Sequence, residues 1–268
     1  MEIVRPQSLD EALAAKSAMP DALPLAGGTD VMVEVNFAGL RPNRVVGLRR
    51  VDELEAWDDR RIGAGVTWTR LESGPYPALA QAARTVGSPQ IRNAGTIGGN
   101  LGTASPAGDG LPWLAALDAD IEVASANRGT RRMPWNEFIM GVKKTALEPD
   151  ELIVAVVLPD TMPRTEAFAK IGIRSAMVIA TVNCVVARWD DGRVAVALGS
   201  VGPTPIRARR AEELISSEPQ PSEATMAEFA RLVSEEVRPI SDHRSTAAYR
   251  RHSSGVLARR LLERCLAA

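Results

Sequence analysis

Gly95-Thr96-Ile97-Gly98-Gly99-Asn100-Leu101-Gly102-Thr103-Ala104-Ser105-Pro106-Ala107-Gly108-Asp109 is the stretch on which the reading of this sequence turns. It closes a longer segment, Gly87 to Asp109, dominated by Gly, Asn, Thr, Ser and Pro. That segment reads as a loop too long and too rich in glycine for an ordinary connection. Loops of this kind in compact domains carry function. Side chains leave much of its backbone N–H unobstructed. With the hydroxyl and amide groups of Thr96, Asn100, Thr103 and Ser105, it suits a concave nest for oxyanions. Asp109, the acceptor at its end, suits a ribose hydroxyl or a ring N–H.

A second glycine turn lies upstream. Ala22 to Ala26 reads as a short strand running into Gly27-Gly28-Thr29-Asp30, with Val31 to Phe37 helical after it. Glycine there permits unusual φ, and a helix N-terminus favours an anion. A single Gly-Gly before a helix is most often an ordinary tight turn; two such segments in one chain point to a phosphate-bearing ligand, a nucleotide. The common phosphate motifs do not match. No GxxxxGK followed by Ser or Thr occurs. Gly63-Ala64-Gly65-Val66-Thr67-Trp68 begins like a dinucleotide fingerprint but has Trp where the third glycine belongs, which disfavours a nicotinamide-type Rossmann fold.

Composition narrows the classes further. The chain has 268 residues, enough for one or two domains at about 150 residues each. Apolar residues make up 45% and charged residues 24%, ordinary for a globular core under a solvated surface. Lys plus Arg number 32 against 33 Asp plus Glu, so no whole-chain basic field for nucleic acid exists. No stretch approaches the roughly 18 to 20 apolar residues of a membrane span, and the N-terminus lacks an apolar signal region. A cytoplasmic protein is the expectation. Two Cys and two His cannot build a cysteine-ligated iron–sulfur cluster or a Cys₄ zinc site. Cys184, inside Met177-Val178-Ile179-Ala180-Thr181-Val182-Asn183-Cys184-Val185-Val186-Ala187, reads as a buried inert thiol. His243 and His252 read as surface or capping residues. With no triad and no Cys–His pair, any redox chemistry has to come from a cofactor.

The remaining pattern is mixed. Residues 8–18 read as a helix capped by Ser8, with Glu11 three positions on. Strands are expected at Arg44 to Leu48, Arg61 to Gly65, Asp120 to Ala124, Thr130 to Met133, Glu151 to Leu158 and Ala167 to Ile173. Helices are expected at Pro77 to Val86 and Leu111 to Leu117. Ala180 to Trp189, Asp190-Asp191-Gly192 and Arg193 to Ser200 form the clearest hairpin. From Arg209 onward the pattern is helical. Composition shifts near Pro159 to Glu166, a candidate boundary.

At these residues the chain resembles the flavin-binding (medium) subunit of the molybdenum hydroxylases, the family of xanthine dehydrogenase and aerobic carbon monoxide dehydrogenase. Ala26 to Asp30 is similar to the family's first FAD loop, and Thr96 to Asp109 to its second. Gly199 to Ala208 and Asp242 to Arg251 are similar to segments of its C-terminal domain. The resemblance implies an α+β fold: an FAD-binding domain of the p-cresol methylhydroxylase type over 1–163, in subdomains of about 1–57 and 58–163. A smaller α+β domain, an antiparallel sheet plus helices, follows over 164–268.

The cofactor-binding residues it implies are Ala26, Gly27, Gly28, Thr29 and Asp30; Thr96, Ile97, Gly98, Gly99 and Asn100; and Thr103, Asp109, Ile153 and Lys170. It implies no catalytic side chain and no metal ligand in this chain. FAD is expected to be noncovalent, since neither glycine loop holds His or Cys. Phe168 is the only aromatic in the segment where some members place one beside the flavin, and a core Phe fits it as well. The implied partners are a small subunit carrying two [2Fe-2S] clusters and a large molybdopterin subunit, as a dimer of heterotrimers. FAD would take electrons from the clusters and pass them to a terminal acceptor. The alternative is a self-sufficient flavin-dependent oxidase or dehydrogenase of the same fold acting on a small organic substrate; it needs a substrate pocket with a positioned base. The arginines at Arg207, Arg209 and Arg210, and at Arg244, Arg250, Arg251, Arg259 and Arg260, read as solvated faces or as a docking surface for an acidic iron–sulfur subunit.

Overall fold

The computed structural model describes residues 1–268. In chain order its elements are β1 (Glu2–Val4), α1 (Leu9–Ala18), β2 (Leu23–Leu25), α2 (Val31–Phe37), β3 (Arg44–Gly47), β4 (Arg61–Gly63), α3 (Trp68–Glu72), α4 (Pro77–Thr85), α5 (Pro89–Ala94), α6 (Ile97–Thr103), α7 (Leu111–Ala116), β5 (Asp120–Ser125), β6 (Gly129–Pro134), α8 (Trp135–Phe138), β7 (Ile139–Gly141), β8 (Lys144–Thr145) and β9 (Leu152–Val157). They continue through β10 (Thr165–Ile171), β11 (Val182–Arg188), β12 (Val194–Gly199), β13 (Ile206–Arg207), α9 (Arg209–Ser216), α10 (Glu223–Glu236) and α11 (Ala247–Ala267). No helix is long and apolar enough to cross a membrane.

Local chemistry sets most boundaries. Ser8 Oγ accepts from Glu11 N at 3.2 Å, and the Glu11 carboxylate reaches back to Gln7 N at 2.8 Å, so α1 starts where its cap places it. The expectation of a continuous loop from Gly87 to Asp109 is overturned: α5 and α6 occupy most of it. Pro89 stands at the start of α5, where its missing N–H costs nothing. Thr96 caps α6, its Oγ1 accepting from Gly99 N at 3.0 Å. Glycine disfavours a helix, but burial of Ile97 and Leu101 on one face of α6 holds it together.

Two spatial units form, and they do not follow sequence order. The first comprises residues 1–70, 89–104 and 119–159. It holds a parallel sheet ordered β1-β3-β2, an antiparallel sheet ordered β4-β9-β5-β6, and the β7-β8 hairpin. Leu13 and Ala12 of α1 pack with Val51, Leu54, Leu152 and Val154 in its core. The second comprises 71–88, 105–118 and 160–268, so α4 and α7 group with the C-terminal elements and not with their neighbours in sequence.

The reason lies in the antiparallel sheet β10-β11-β12-β13. One face presents Val182, Cys184, Val186, Val196 and Leu198, packed with Phe229, Leu261 and other residues of the C-terminal helices. The opposite face aligns Phe168 with Val185 and Ala197, and Glu166 with Ala187 and Ala195. Small residues along β12 let α7 lie against it, while α4 covers β10. The Asp190-Asp191-Gly192 turn closes the β11-β12 hairpin, with Gly192 at φ +89°.

Both cysteines are buried; burial pushes the Cys184 thiol far up and that of Cys265 up to about 11. His243 and His252 are exposed.

The arginine runs need correction. Arg250 is only 2% exposed and is no docking residue. Its Nη1 donates to Thr181 O and Ser200 O, each at 2.8 Å, and its Nη2 to Asp242 Oδ1 at 2.7 Å. Arg207 is likewise interior, paired with Asp118 and Glu212. Arg251 is exposed.

Burial raises the Asp242 carboxyl, but the Arg244 N–H and the Arg250 guanidinium outweigh it and hold the group down at about 2. Asp242→Asn is therefore expected to cost about 1–3 kcal/mol at neutral pH, because it leaves a buried guanidinium without its anion. A depressed carboxyl contributes stability above its ordinary value of 3.8 and loses it as pH falls through about 2. Melting curves of wild type and variant between pH 5 and pH 2 should converge at the acid end.

Candidate cofactor site

In the first unit, β2 runs beside β3 as far as Leu25, paired with Gly47, and Leu25 O accepts from Leu48 N at 2.8 Å. The chain then turns through Ala26 to Asp30. Gly28 takes φ +72°, a conformation other residues resist. Met32 N bonds to Gly28 O at 2.9 Å and starts α2. The amides of Gly27, Gly28 and Thr29 have no acceptor within the chain. Three consecutive free N–H groups in a half-buried turn, just before a helix, form a donor array for an anion.

The second glycine segment packs directly on the first. A Cβ on Gly27 would stand 1.7 Å from Ala94 O and 2.3 Å from Ala94 C, so only glycine permits this approach. Thr103 Oγ1 donates to Asp30 Oδ2 at 2.8 Å, tying the end of α6 to the first loop. Lys143 adds another tie: its ammonium pairs with Glu34 of α2 at 2.6 Å, and its N–H donates to Ala104 O at 3.0 Å.

The second segment does not offer the open N–H nest that its composition led us to expect. Ile97 N donates to Val66 O, Gly98 N to Ala64 O, Gly99 N to Thr96 Oγ1 and Asn100 N to Thr96 O. The first turn of α6 is thus satisfied internally, and the free donors lie in the first loop. What α6 offers instead is a bare surface. Gly99 and Gly102, three apart, are both exposed on it. Ile153 of β9 is close, its Cδ1 3.5 Å from where a Gly102 Cβ would sit. Asn100 Oδ1 is buried and has no partner. Of the residues implied for FAD, those from Ala26 to Thr103, with Ile153, belong to this unit.

Asp109 and Lys170 belong to the second unit, where they meet in a buried polar cluster. Lys170 Nζ lies 2.5 Å from Asp109 Oδ2 and 3.1 Å from Thr85 O. Thr85 Oγ1, whose proton is shared with Ala82 O at 2.8 Å, lies 3.2 Å from Asp109 Oδ2, and Asn183 Nδ2 donates to Asp109 Oδ1 at 2.8 Å. Burial pushes the Asp109 carboxyl up, while Lys170, Asn183 and Thr85 pull it back. Phe168 is buried, its N–H donating to Gln81 Oε1 at 2.8 Å. Glu166 is also buried and raised by that burial, accepting from Ala78 N at 2.9 Å and Trp113 Nε1 at 3.0 Å. Sequence reasoning had no reason to single out Asn183, Thr85 or Glu166, since each is a lone polar residue in an ordinary strand or helix pattern.

A free-amide turn between strand and helix, closed over by a glycine-faced helix, describes a carrier of a phosphate-bearing ligand. The chain belongs to the FAD-binding family of the molybdopterin dehydrogenases. The family model for the FAD binding domain in molybdopterin dehydrogenase matches residues 1–161, and that for the CO dehydrogenase flavoprotein C-terminal domain matches 166–265. Its relatives include the nicotinate dehydrogenase FAD-subunit of Eubacterium barkeri, 34% identical over 94% of this chain and 91% of that one. The xanthine dehydrogenase FAD-binding subunit of Escherichia coli O157:H7 is 32% identical, over 98% and 95%. Among solved structures, carbon monoxide dehydrogenase from Hydrogenophaga pseudoflava superposes with a TM-score of 0.91 at 28% identity, covering 100% of this chain and 97% of the other. Quinoline 2-oxidoreductase from Pseudomonas putida 86 gives 0.91 at 27% identity, with the same coverage. The α+β fold, with an FAD-binding domain and a C-terminal domain, is that of the CO dehydrogenase medium subunit, and the chain is a flavoprotein oxidoreductase subunit.

Proposed function

We propose that this chain is the electron-transfer subunit of a cytoplasmic molybdenum hydroxylase complex and holds FAD noncovalently. Its partners are a small [2Fe-2S] subunit and a large molybdopterin subunit, in a dimer of heterotrimers. Bound FAD would supply the redox chemistry, linking the partner's clusters to a terminal acceptor. The inherited domain pair is 1–163, in subdomains of about 1–57 and 58–163, and 164–268.

The observation that carries the cofactor assignment is the row of free amides at Gly27, Gly28 and Thr29. They are the donors for the pyrophosphate, with Ala26 and Asp30 completing the turn. Thr96 caps α6 and Ile97 and Gly98 seat it, which holds Gly99, Asn100 and Thr103 toward the cofactor, with Ile153 beside them. The orphaned Asn100 Oδ1 fits an N–H or hydroxyl of the bound group. Asp109 and Lys170, a buried acceptor–donor pair, are the remaining residues proposed for FAD, Lys170 keeping one N–H that neither Asp109 nor Thr85 takes. No side chain here has to serve as acid, base or nucleophile. Membership of an assembly is supported by α2, which has no buried residue although Met32, Val33 and Phe37 are 51%, 52% and 86% exposed. Apolar side chains left bare in this way mark contact surfaces.

The first test is the absorption spectrum of the purified chain, with the chromophore identified after acid release. Flavin bands released as FAD are expected; a colourless protein that takes up no added FAD would sink the assignment. A sharper test uses Gly102→Ala. The new methyl meets Ile153 Cδ1 at an ordinary 3.5 Å, and alanine favours a helix over glycine by about 1 kcal/mol. The variant should therefore melt no lower than wild type, yet bind FAD about tenfold more weakly. Unchanged affinity by fluorescence titration would mean that FAD does not lie on the bare face of α6.

A further inference from the structure

On the sheet face covered by α4 and α7, one row crosses three strands: Lys170 stands opposite Asn183, and Asn183 opposite Gly199. Asn183 is completely buried. Its Nδ2 serves Asp109, while its Oδ1 has no partner. An unpartnered buried carbonyl costs stability, and leucine, with the same branching, would avoid that cost. Gly199 completes the arrangement. A Cβ there would fall 2.3 Å from Asn183 Oδ1 and 3.1 Å from Pro112 Cγ, so the row makes room for an asparagine.

We propose that Asn183 is a positioning residue for the cofactor, acting through Asp109 on Lys170. By occupying Asp109 Oδ1, the Asn183 amide commits Oδ2 to the ammonium. Thr85 fixes the ammonium from the other side, its carbonyl accepting from Lys170 at 3.1 Å. Two of the three ammonium N–H groups are thereby assigned, and the direction of the third is set for an acceptor atom of the ligand. Without the Asn183 amide the carboxylate is free to turn, and the ammonium turns with it. The inference rests on the proposed placement of Lys170 at FAD.

The test compares the FAD-loaded full chain as wild type, Asn183→Leu, Asn183→Ser, Lys170→Met and the Asn183→Leu/Lys170→Met double variant. FAD affinity comes from fluorescence titration, the flavin midpoint potential from spectroelectrochemistry, and folding from thermal melting. Asn183→Leu is expected to weaken FAD binding about tenfold and to move the midpoint in the same direction as Lys170→Met. Asn183→Ser, which keeps a small donor, should recover part of both, and the double variant should match Lys170→Met alone. Wild-type behaviour of Asn183→Leu beside a shifted Lys170→Met would overturn the inference and leave the placement of Lys170 intact. An equal effect of Asn183→Leu with and without Lys170 overturns it as well. No shift in Lys170→Met removes the placement itself. Where Asn183→Leu does not fold, Asn183→Ser carries the comparison; where Lys170→Met does not fold, the neutral pair Lys170→Met with Asp109→Asn replaces it.

Discussion

Gly27→Ala is expected to leave the chain without FAD and to lower its stability by about 3 kcal/mol, the upper end for overpacking. The added methyl would stand 1.7 Å from Ala94 O and 2.3 Å from Ala94 C. Both are backbone atoms, so no side-chain rotation relieves the clash, and the two glycine segments have to separate. Separation moves the free amides of Gly27, Gly28 and Thr29 out of register. Hydrogen bonds to a charged group are worth about 1.5–3 kcal/mol each, so misaligning two of them weakens binding at least about a hundredfold. Thermal melting of the FAD-free chain and an FAD titration measure the two effects separately. Loss of stability with full retention of FAD would show that the Gly27 turn is a packing device and not the pyrophosphate cradle. Gly102→Ala is the matched control for the stability loss alone, since it adds the same methyl where there is room and its own expected effect is on FAD binding.

The second large effect is expected at Lys170. Lys170→Met leaves Asp109 buried without its cation, and breaking a buried pair from one side costs about 3–5 kcal/mol. The pH dependence identifies the cause. Burial raises the Asp109 carboxyl in the folded chain, and removing Lys170 removes the strongest opposing influence. An acid raised by folding contributes most below its unfolded value, 3.8, and loses that contribution as pH rises through its folded one. The deficit of Lys170→Met relative to wild type should therefore be largest at neutral pH and shrink as pH falls toward 4. Denaturant titrations at several pH values measure it; a deficit that does not vary with pH would assign the loss to packing of the lysine stem.

Elements whose signals are local were legible in the sequence. Val31 to Phe37 is α2, and the Asp190-Asp191-Gly192 turn sits between β11 and β12 as its chemistry requires. α5 and α6 were not legible, because their glycines and polar residues favour loop and only Pro89, the Thr96 cap and burial of Ile97 and Leu101 make them helical. The two loops of the cofactor site were visible as motifs, but which of them keeps its amides free depends on Val66 and Ala64, some thirty residues earlier in the chain. Arg250 looked like its exposed neighbours because its acceptors, Thr181 O and Ser200 O, come from distant turns. Asn183 carried no signal, since its meaning comes from Lys170 and Gly199 beside it across the sheet.

The grouping of α4 and α7 with the C-terminal sheet bears on how the chain is made. Both helices leave the ribosome well before β10, β11 and β12 exist, and α7 ends at Ala116 while β12 ends at Gly199. At synthesis rates of about 5 to 20 residues per second, α7 waits roughly 4 to 17 seconds for the strand it covers. During that interval Trp113 and Leu114, buried in the finished protein, have no sheet to cover them. Fragments cut near residue 160 would stay in that condition permanently, so the nascent chain between those two moments is a natural client for a chaperone.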